Sequence, residues 1–459
     1  MFIKTILRCS NKRVLCLNRY YSSRNIISLK DRGMWQDIFP DNSVGEVRDI
    51  LNSSPQWVYA GFDPTASSLH IGNLLVLVNL LHWQRGGHNV LALLGGATGR
   101  IGDPSGRNTE REKLNGVFLD DNIVGIKENI QAIFDNHEKY FCGNLNRKLG
   151  NLRVVNNEDW YNKMSPVELL GDAGRFLRMG TLLSRTSVQS RLQSPAGMSL
   201  TEFSYQLFQA YDWLHLYKEF GCRFQVGGGD QMGNIMSGHE LISKACKQSV
   251  FGLTLPLITT EMGDKFGKSA GNAIWLSSEK TSPFNLYQFW VRMSDADAEK
   301  MLKLFTFDTT GSIEDLMRKH MEKPELRMAQ KRLAEQVTLL VHGEDGLGSA
   351  LAASKALYEG NIEALGHMKT NEIAALFQGA EIVEIMPSAR ETVMELSMRV
   401  GCFPSKQDAV RIITAGGFSV NQQRAKNPNE ILSHSVHRLT NDVTLLRVGK
   451  KNYYIVKWV

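Results

Sequence analysis

Residues Tyr59 to Asn73 read Y-A-G-F-D-P-T-A-S-S-L-H-I-G-N. The approach to this stretch (Trp57, Val58, Tyr59) has the aromatic and β-branched character of a strand, and Asp63-Pro64 ends it in a turn. Small residues then deliver His70 and Gly72 to the head of an apolar, helix-like run, Leu74 to Trp83. A helix that begins near Ile71 turns free backbone N–H groups and the positive end of its dipole toward the loop, which suits an anion. Gly72 has no Cβ and lets that backbone approach a ligand, while Thr65 and His70 add side-chain donors at the same point. The stretch reads as a strand–turn–helix corner for phosphate, without the Gly-x-x-x-x-Gly-Lys of a P-loop. Taken alone, His70 is equally well a histidine that merely completes a turn.

The pattern recurs along the chain. Val90 to Leu94 is a short apolar strand followed by G-G-A-T-G-R-I-G-D-P-S-G, and Arg223 to Val226 is another, followed by G-G-G-D-Q. Between them Phe203, Leu207, Ala210, Tyr211 and Leu214 recur at helical spacing. Such alternation from Trp57 to Ile274 implies an α/β fold, a parallel sheet with helices on its faces. Ligands of such sheets bind beyond the carboxyl ends of the strands, where these glycine loops fall. From about Pro283 to Ala380 helical periodicity takes over, as in Met328, Leu333, Val337 and Leu340. A third segment holds an amphipathic helix (Ala409, Val410, Ile412, Ile413) that ends at Gly416-Gly417, then a strand from Phe418 to Val420. Leu445 to Val448 and Tyr453 to Val456 read as a hairpin around Gly449-Lys450-Lys451. The expected organisation is a leader at 1–30, an α/β domain at 31–282, an all-helical domain at 283–384 and a small α+β domain at 385–459.

With 459 residues, 42% of them apolar, the chain can bury more than one core. No run approaches the ~18 apolar residues of a membrane span, so a soluble protein with no membrane partner is expected. Six cysteines without a CxxC pair suggest neither a disulfide framework nor a zinc site. The net charge of +6 is unevenly spread. Residues 1–30 carry seven basic side chains and no acid, and residues 397–459 carry ten against three, which leaves −8 for residues 31–396. An Arg-rich, acid-free start with Phe2, Ile3, Ile6 and Leu7 on one face reads as a mitochondrial presequence, with cleavage expected near Tyr21 and the matrix as destination. The other reading of that block is a basic arm that binds RNA.

H-I-G-N (His70 to Asn73) resembles the H-I-G-H signature of the class I aminoacyl-tRNA synthetases. K-F-G-K-S (Lys265 to Ser269) resembles their second signature, K-M-S-K-S, and follows about 195 residues later, in order. Two lysines three apart on a glycine-bracketed loop can close over a polyphosphate as its charge develops. The blocks Y-A-G-F-D-P-T, G-G-A-T-G-R-I-G-D-P-S-G, E-F-S-Y-Q-L-F-Q-A-Y-D and Q-V-G-G-G-D-Q-M-G-N extend the resemblance to the bacterial-type tyrosyl-tRNA synthetases and, with the leader, to their mitochondrial form. The likeness covers nearly everything after residue 35.

That resemblance implies a Rossmann-like catalytic domain, a helical domain on the anticodon side and an S4-type RNA-binding domain. It implies that Tyr59 and Asp212 bind the phenolic OH of L-tyrosine, that Asp103, Tyr205 and Gln209 hold its α-ammonium, and that Gln231 lies near its carboxylate. Tyr205, Gln209 and Asp212 fall at i, i+4 and i+7, on one helical face. It puts Asp63, Thr65, His70, Gly72, Gly228, Asp230, Lys265 and Lys268 on ATP, with Thr65, His70, Lys265 and Lys268 as the catalytic set. Arg107 and Arg111 match a basic segment facing pyrophosphate. The resemblance further implies ATP with Mg²⁺ as substrate, no prosthetic group and tRNA(Tyr) as partner; the family is dimeric, so a homodimer is expected. Three positions depart from the pattern: Asn73 replaces the second histidine, Phe266-Gly267 replaces Met-Ser, and Met232 stands where tryptophan is common. A tryptophanyl-tRNA synthetase shares both signatures but needs no partner for a phenol. An RNA-binding scaffold or splicing helper, lapsed in catalysis or as a second role, and a non-RNA nucleotidyltransferase complete the alternatives.

Overall fold

The computed structural model describes residues 24–459 apart from 107–108, 110–115, 144, 146, 259–267, 270–271, 359–361, 369, 378–379, 389, 434–436 and 450–451. Most of the leader, with its expected cleavage point, therefore lies outside the described residues. The chain divides into two compact units, one of residues 1–281 with 290–341 and one of 282–289 with 342–459.

The first unit is organised by a six-stranded sheet. Its strands are β1 (Ile38–Phe39), β2 (Trp57–Phe62), β3 (Asn89–Leu94), β4 (Leu152–Asn156), β5 (Phe224–Gly228) and β6 (Phe251–Leu255), in the order β1-β6-β5-β2-β3-β4. All neighbours are parallel except β1, which runs against β6. The central strands are continuous apolar runs, N-V-L-A-L-L in β3 and F-G-L-T-L in β6, because helices cover both faces of a parallel sheet. The helix Ile71–Arg85 is buried on almost every side for the same reason.

From β2 the chain winds outward through β3 and β4, then crosses back to β5 and β6 on the other side. The winding direction therefore changes between β2 and β5, and the loops after both strands open beside that point. Sequence periodicity anticipated β3 and β5 to within two residues but not the two-residue antiparallel β1, which is too short to carry a pattern.

Residues Ile26–Arg32 form a 3-10 helix whose Ile26, Ile27 and Leu29 are buried, so folded structure begins ahead of residue 30. Arg32 is buried and donates to the carbonyls of Lys303, Thr306 and Asp308. Arg32 thus ties this segment to the last turn of the helix Asp295–Phe305 and to the residues that follow it.

The segment 283–384 supplies helices to both units rather than to a body of its own. Met328–Tyr358 is interrupted at Gly343, whose φ of 67° is open to glycine at little cost. In the second unit, β9 (Glu381–Ile385), β10 (Phe418–Val420), β11 (Gln423–Ala425), β12 (Val443–Val448) and β13 (Asn452–Trp458) form a sheet in the order β11-β10-β12-β13-β9. The expected helix-to-strand passage at Gly416-Gly417 and the hairpin of the last two strands are present. Gly416 takes φ 71° there. Strand β9 pairs parallel to β13, so this sheet begins before residue 385. A polar–apolar alternation of only five residues, E-I-V-E-I, gave little to set it apart from the helices before it. Among the described residues, no helix is long and apolar enough to cross a membrane.

Candidate active site

The opening turn folds as a helix start with a reciprocal cap. His70 is the N-cap of Ile71–Arg85; its Nδ1 accepts from the Gly72 N–H at 3.0 Å, and its own N–H donates to Asn73 Oδ1 at 3.1 Å. Asn73 thus performs the role of the third helical residue in a capping box, which gives this departure from H-I-G-H a structural reason. A Cβ on Gly72 would lie 2.9 Å from the His70 ring, so the cap requires glycine or a shifted imidazole. His70 and Thr65 are exposed at the loop surface, where an incoming anion can meet them.

The second signature is joined to this turn through the backbone. Lys268 lies in β7 (Lys268–Ser269), which pairs with β8 (Asn272–Ala273). The strand then continues past the first signature: Ile71 N–H donates to Ile274 O, Leu276 N–H donates to Leu69 O, and His70 faces Trp275. The segment that follows the second motif therefore lies against the first. Lys265 lies outside the described residues, as do Arg107 and Arg111.

Asp212 sits on the helix Leu200–Phe220, which is fixed at its start by a Ser199–Glu202 capping box and stopped by Gly221 in the left-handed region. The expected face is present: Tyr205 and Asp212 are buried and Gln209 is half-buried. Asp212 Oδ1 accepts from Trp160 Nε1 at 3.0 Å and Oδ2 from Asn157 Nδ2 at 3.1 Å. Burial nonetheless raises its carboxyl to about 7; the hydrogen bonds from Asn157 and Trp160 and the nearby Tyr161 hydroxyl pull the other way, and the charge of Asp63 adds to the rise. Tyr59 projects from β2 with a buried hydroxyl that has no hydrogen-bond partner among the described residues. Its pKa is pushed well up by burial and then by the Asp212 carboxylate. A buried phenol without a partner beside a buried carboxylate is an arrangement that a ligand hydroxyl would complete.

The polar network runs on from there. Asn157 Nδ2 also reaches Thr98 Oγ1 at 3.0 Å, Thr98 donates to Asp63 Oδ1 at 2.8 Å, and Tyr205 OH donates to Asp63 Oδ2 at 2.9 Å. Asp63, which the resemblance put with ATP, thus holds Tyr205. Gly95 has to be glycine, because a Cβ there would overlap Asp63 Oδ1 and Thr98 Oγ1. Asp103 accepts from Gln231 Nε2 at 2.7 Å and from the Ser105 N–H at 3.0 Å, while Asn234 bridges toward Gln231. Gly228 ends β5, Asp230 is exposed in the following turn, and Met232 begins the next helix.

Asn157, Trp160 and Thr98 were not singled out by sequence. The signal for two of them is N-E-D-W directly after the strand L-R-V-V-N, a fourth loop at a strand end. Among the described residues no group of three His, Cys, Asp or Glu is disposed to hold a metal ion.

Comparison with known proteins shows the family. Residues 52–359 match the family described as tRNA synthetases class I (W and Y), and residues 372–456 match the tyrosine–tRNA ligase SYY-like C-terminal domain. The chain is 53% identical over 444 residues to the mitochondrial tyrosine–tRNA ligase of Drosophila melanogaster, covering 96% of each chain. It is 47% identical to the mitochondrial tyrosine–tRNA ligase of Homo sapiens, over 94% of this chain and 91% of that one. A crystal structure of a C-terminally truncated mitochondrial tyrosyl-tRNA synthetase from Aspergillus nidulans superimposes with a TM-score of 0.66 at 34% identity, over 72% of this chain and 94% of that one. On these matches, which span nearly the whole chain, and with the parallel sheet they imply in place, the chain belongs to the class I tRNA synthetases (W and Y), and within them to the tyrosine–tRNA ligases.

Proposed function

We propose that the chain activates L-tyrosine with MgATP and transfers it to the 3′ end of mitochondrial tRNA(Tyr) in the matrix. The acid-free basic leader and the mitochondrial relatives support the location. A carboxylate oxygen of tyrosine attacks the ATP α-phosphorus, the bond to the bridging oxygen breaks, and pyrophosphate leaves. A terminal ribose hydroxyl of the tRNA then attacks the acyl carbon of tyrosyl-adenylate, AMP leaves, and the hydroxyl proton is lost to solvent or phosphate. No protein nucleophile is needed; the chain holds the reactants in line and meets the developing charge. Mg²⁺ enters with ATP as part of that substrate.

Tyr59 and Asp212 bind the phenolic OH, the observation that carries this reading being the buried Tyr59 hydroxyl, partnerless among the described residues, beside the Asp212 carboxylate. Asp103, Tyr205 and Gln209 take the α-ammonium, with Gln231 near the carboxylate. Thr65, His70, Gly72 and the helix start meet the phosphates, Gly228, Asp63 and Asp230 lie toward the nucleotide, and Lys265 and Lys268 close over the leaving group. The helical segment 283–384 lies on the anticodon side, and residues 385–459 form the RNA-binding domain. Exposed Arg411, Arg424 and Lys426 support RNA binding by this last segment. The test is pyrophosphate exchange: tyrosine should drive ATP–pyrophosphate exchange and tryptophan should not. Arg424→Glu combined with Lys426→Glu should leave exchange within twofold and lower tRNA charging by roughly tenfold or more at moderate salt. Exchange with tryptophan alone would refute the reading of the pocket, and unchanged charging would refute that of the C-terminal segment.

The active form is a homodimer. Val167, Leu170, Met179, Leu192 and Leu200 are large apolar side chains exposed on successive helices between residues 166 and 200, with Leu200 at 82% exposure. An apolar surface of this kind supports association, and a second copy is the occupant that a symmetric assembly supplies. Leu200→Glu should shift the chain from dimer to monomer in sedimentation; a species that sediments as a monomer before the change would contradict the proposal.

A further inference from the structure

Asp212 depends on a donor that must be aimed. Trp160 gives its indole N–H to Asp212 Oδ1 at 3.0 Å, and a bond of that length loses most of its value if the ring swings. Trp160 comes from the short helix Glu158–Tyr161 after β4, a piece with a single turn of backbone to hold it. What bears on the face of its ring is His215: the two rings stack with centroids 4.3 Å apart and planes at 23°. His215 is on the same helix as Asp212, three residues on, so both lie on the same side of that helix. One helix therefore presents the acceptor for the indole edge and a flat surface for the indole face. Tyr161, which stands beside Trp160, is in turn fixed by donating to Phe208 O of the same helix.

We propose that His215 is a positioning residue for tyrosine recognition: by stacking on Trp160 it holds the indole N–H on Asp212 and so fixes the carboxylate that reads the substrate's phenol. Imidazole contacts neither reactant in this scheme. Its ring is half-buried and burial lowers its pKa, which agrees with a neutral stacking partner near neutral pH. The inference rests on the reading of Asp212 as the phenol acceptor, and the experiment separates the two.

The full chain is used in ATP–pyrophosphate exchange, with KM for tyrosine and for ATP measured separately. His215→Ala should raise the tyrosine KM roughly three- to tenfold, the range expected for losing one aromatic pair, and leave the ATP KM and kcat within twofold. His215→Phe, which keeps a flat ring and discards the polarity, should return the tyrosine KM to within twofold. His215→Gln, which keeps the polarity and discards the ring, should behave as His215→Ala and serves in its place if the alanine variant does not fold. Trp160→Phe keeps the stack and deletes the N–H; in that background His215→Ala should have no further effect on the tyrosine KM. The proposal is overturned if His215→Ala or His215→Gln leaves the tyrosine KM unchanged, if His215→Phe fails to restore it, or if the full effect persists in the Trp160→Phe background. If Asp212→Asn leaves the tyrosine KM unchanged, the reading of the pocket itself has failed.

Discussion

Asp212→Asn should make the unliganded protein relatively more stable as pH rises while sharply weakening tyrosine activation. Burial raises the Asp212 carboxyl to about 7, against ~3.9 for an exposed aspartate. Between those values the folded chain holds a proton that the unfolded chain has released. The native protein is therefore stabilised by this group below about pH 4, and that stability is lost as pH rises through 7. At 1.36 kcal/mol per pH unit, the loss from pH 5 to pH 8 is about 3 kcal/mol from this single carboxyl. An amide carries no such dependence. It does place an NH₂ against one of the two donors, Trp160 or Asn157, but it does so at every pH. Urea unfolding of both proteins at pH 5 and pH 8 should show the variant gaining about 3 kcal/mol relative to the native chain over that interval. A difference that stays constant with pH would contradict a buried, proton-holding Asp212. In exchange assays the same variant should lose roughly 10- to 150-fold in kcat/KM for tyrosine, the worth of a hydrogen bond to a charged group. Function and stability pull in opposite directions at this position, as expected where a charge is buried for a substrate.

Arg191→Met should produce the largest loss of stability. Arg191 and Glu202 are both almost wholly buried, and the guanidinium grips the carboxylate at both oxygens, Nε to Oε1 at 3.1 Å and Nη2 to Oε2 at 2.8 Å. Removing the arginine leaves a buried carboxylate without its counter-charge, which costs about 3–5 kcal/mol. Arg191→Met with Glu202→Leu should recover most of that loss, less about 1 kcal/mol for the capping-box carboxylate that Glu202 also supplies to Ser199. A double variant no more stable than Arg191→Met would show that the pair matters for something beyond charge compensation. Because Glu202 opens the helix bearing Tyr205, Gln209 and Asp212, the single variant should also raise the tyrosine KM in any fraction that folds.

Strand β3, the glycine loop after it and the helix Leu200–Phe220 were legible because local periodicity and glycine spacing survive without knowledge of neighbours. The face of Tyr205, Gln209 and Asp212 was legible for the same reason, since helical geometry alone aligns residues at i, i+4 and i+7. Strand β9 was not, because its identity as a strand depends on its partner β13, some seventy residues away in the chain. Trp160 and Asn157 were missed because the loop after β4 lacks the glycines that mark the other loops; they matter through the carboxylate they reach on another element. The replacement at Asn73 was visible in sequence, but its meaning as the second half of a cap is a matter of backbone geometry.

By itself, then, the sequence supplied candidates: a corner suited to phosphate at His70-Ile71-Gly72, a lysine loop at Lys265 to Lys268, and charge gathered at the two ends of the chain. These follow from residue type and short spacing, which are fixed before folding, whereas the pairing of Tyr59 with Asp212 came from the family resemblance. Only the tertiary structure decided which groups became neighbours and what that proximity did to them. It joined the first signature by backbone hydrogen bonds to the segment that follows the second, left the Tyr59 hydroxyl buried without a partner among the described residues, and surrounded Asp212 so that its carboxyl holds a proton up to about 7. Desolvation is a property of everything packed around a group, and no short stretch of sequence contains it.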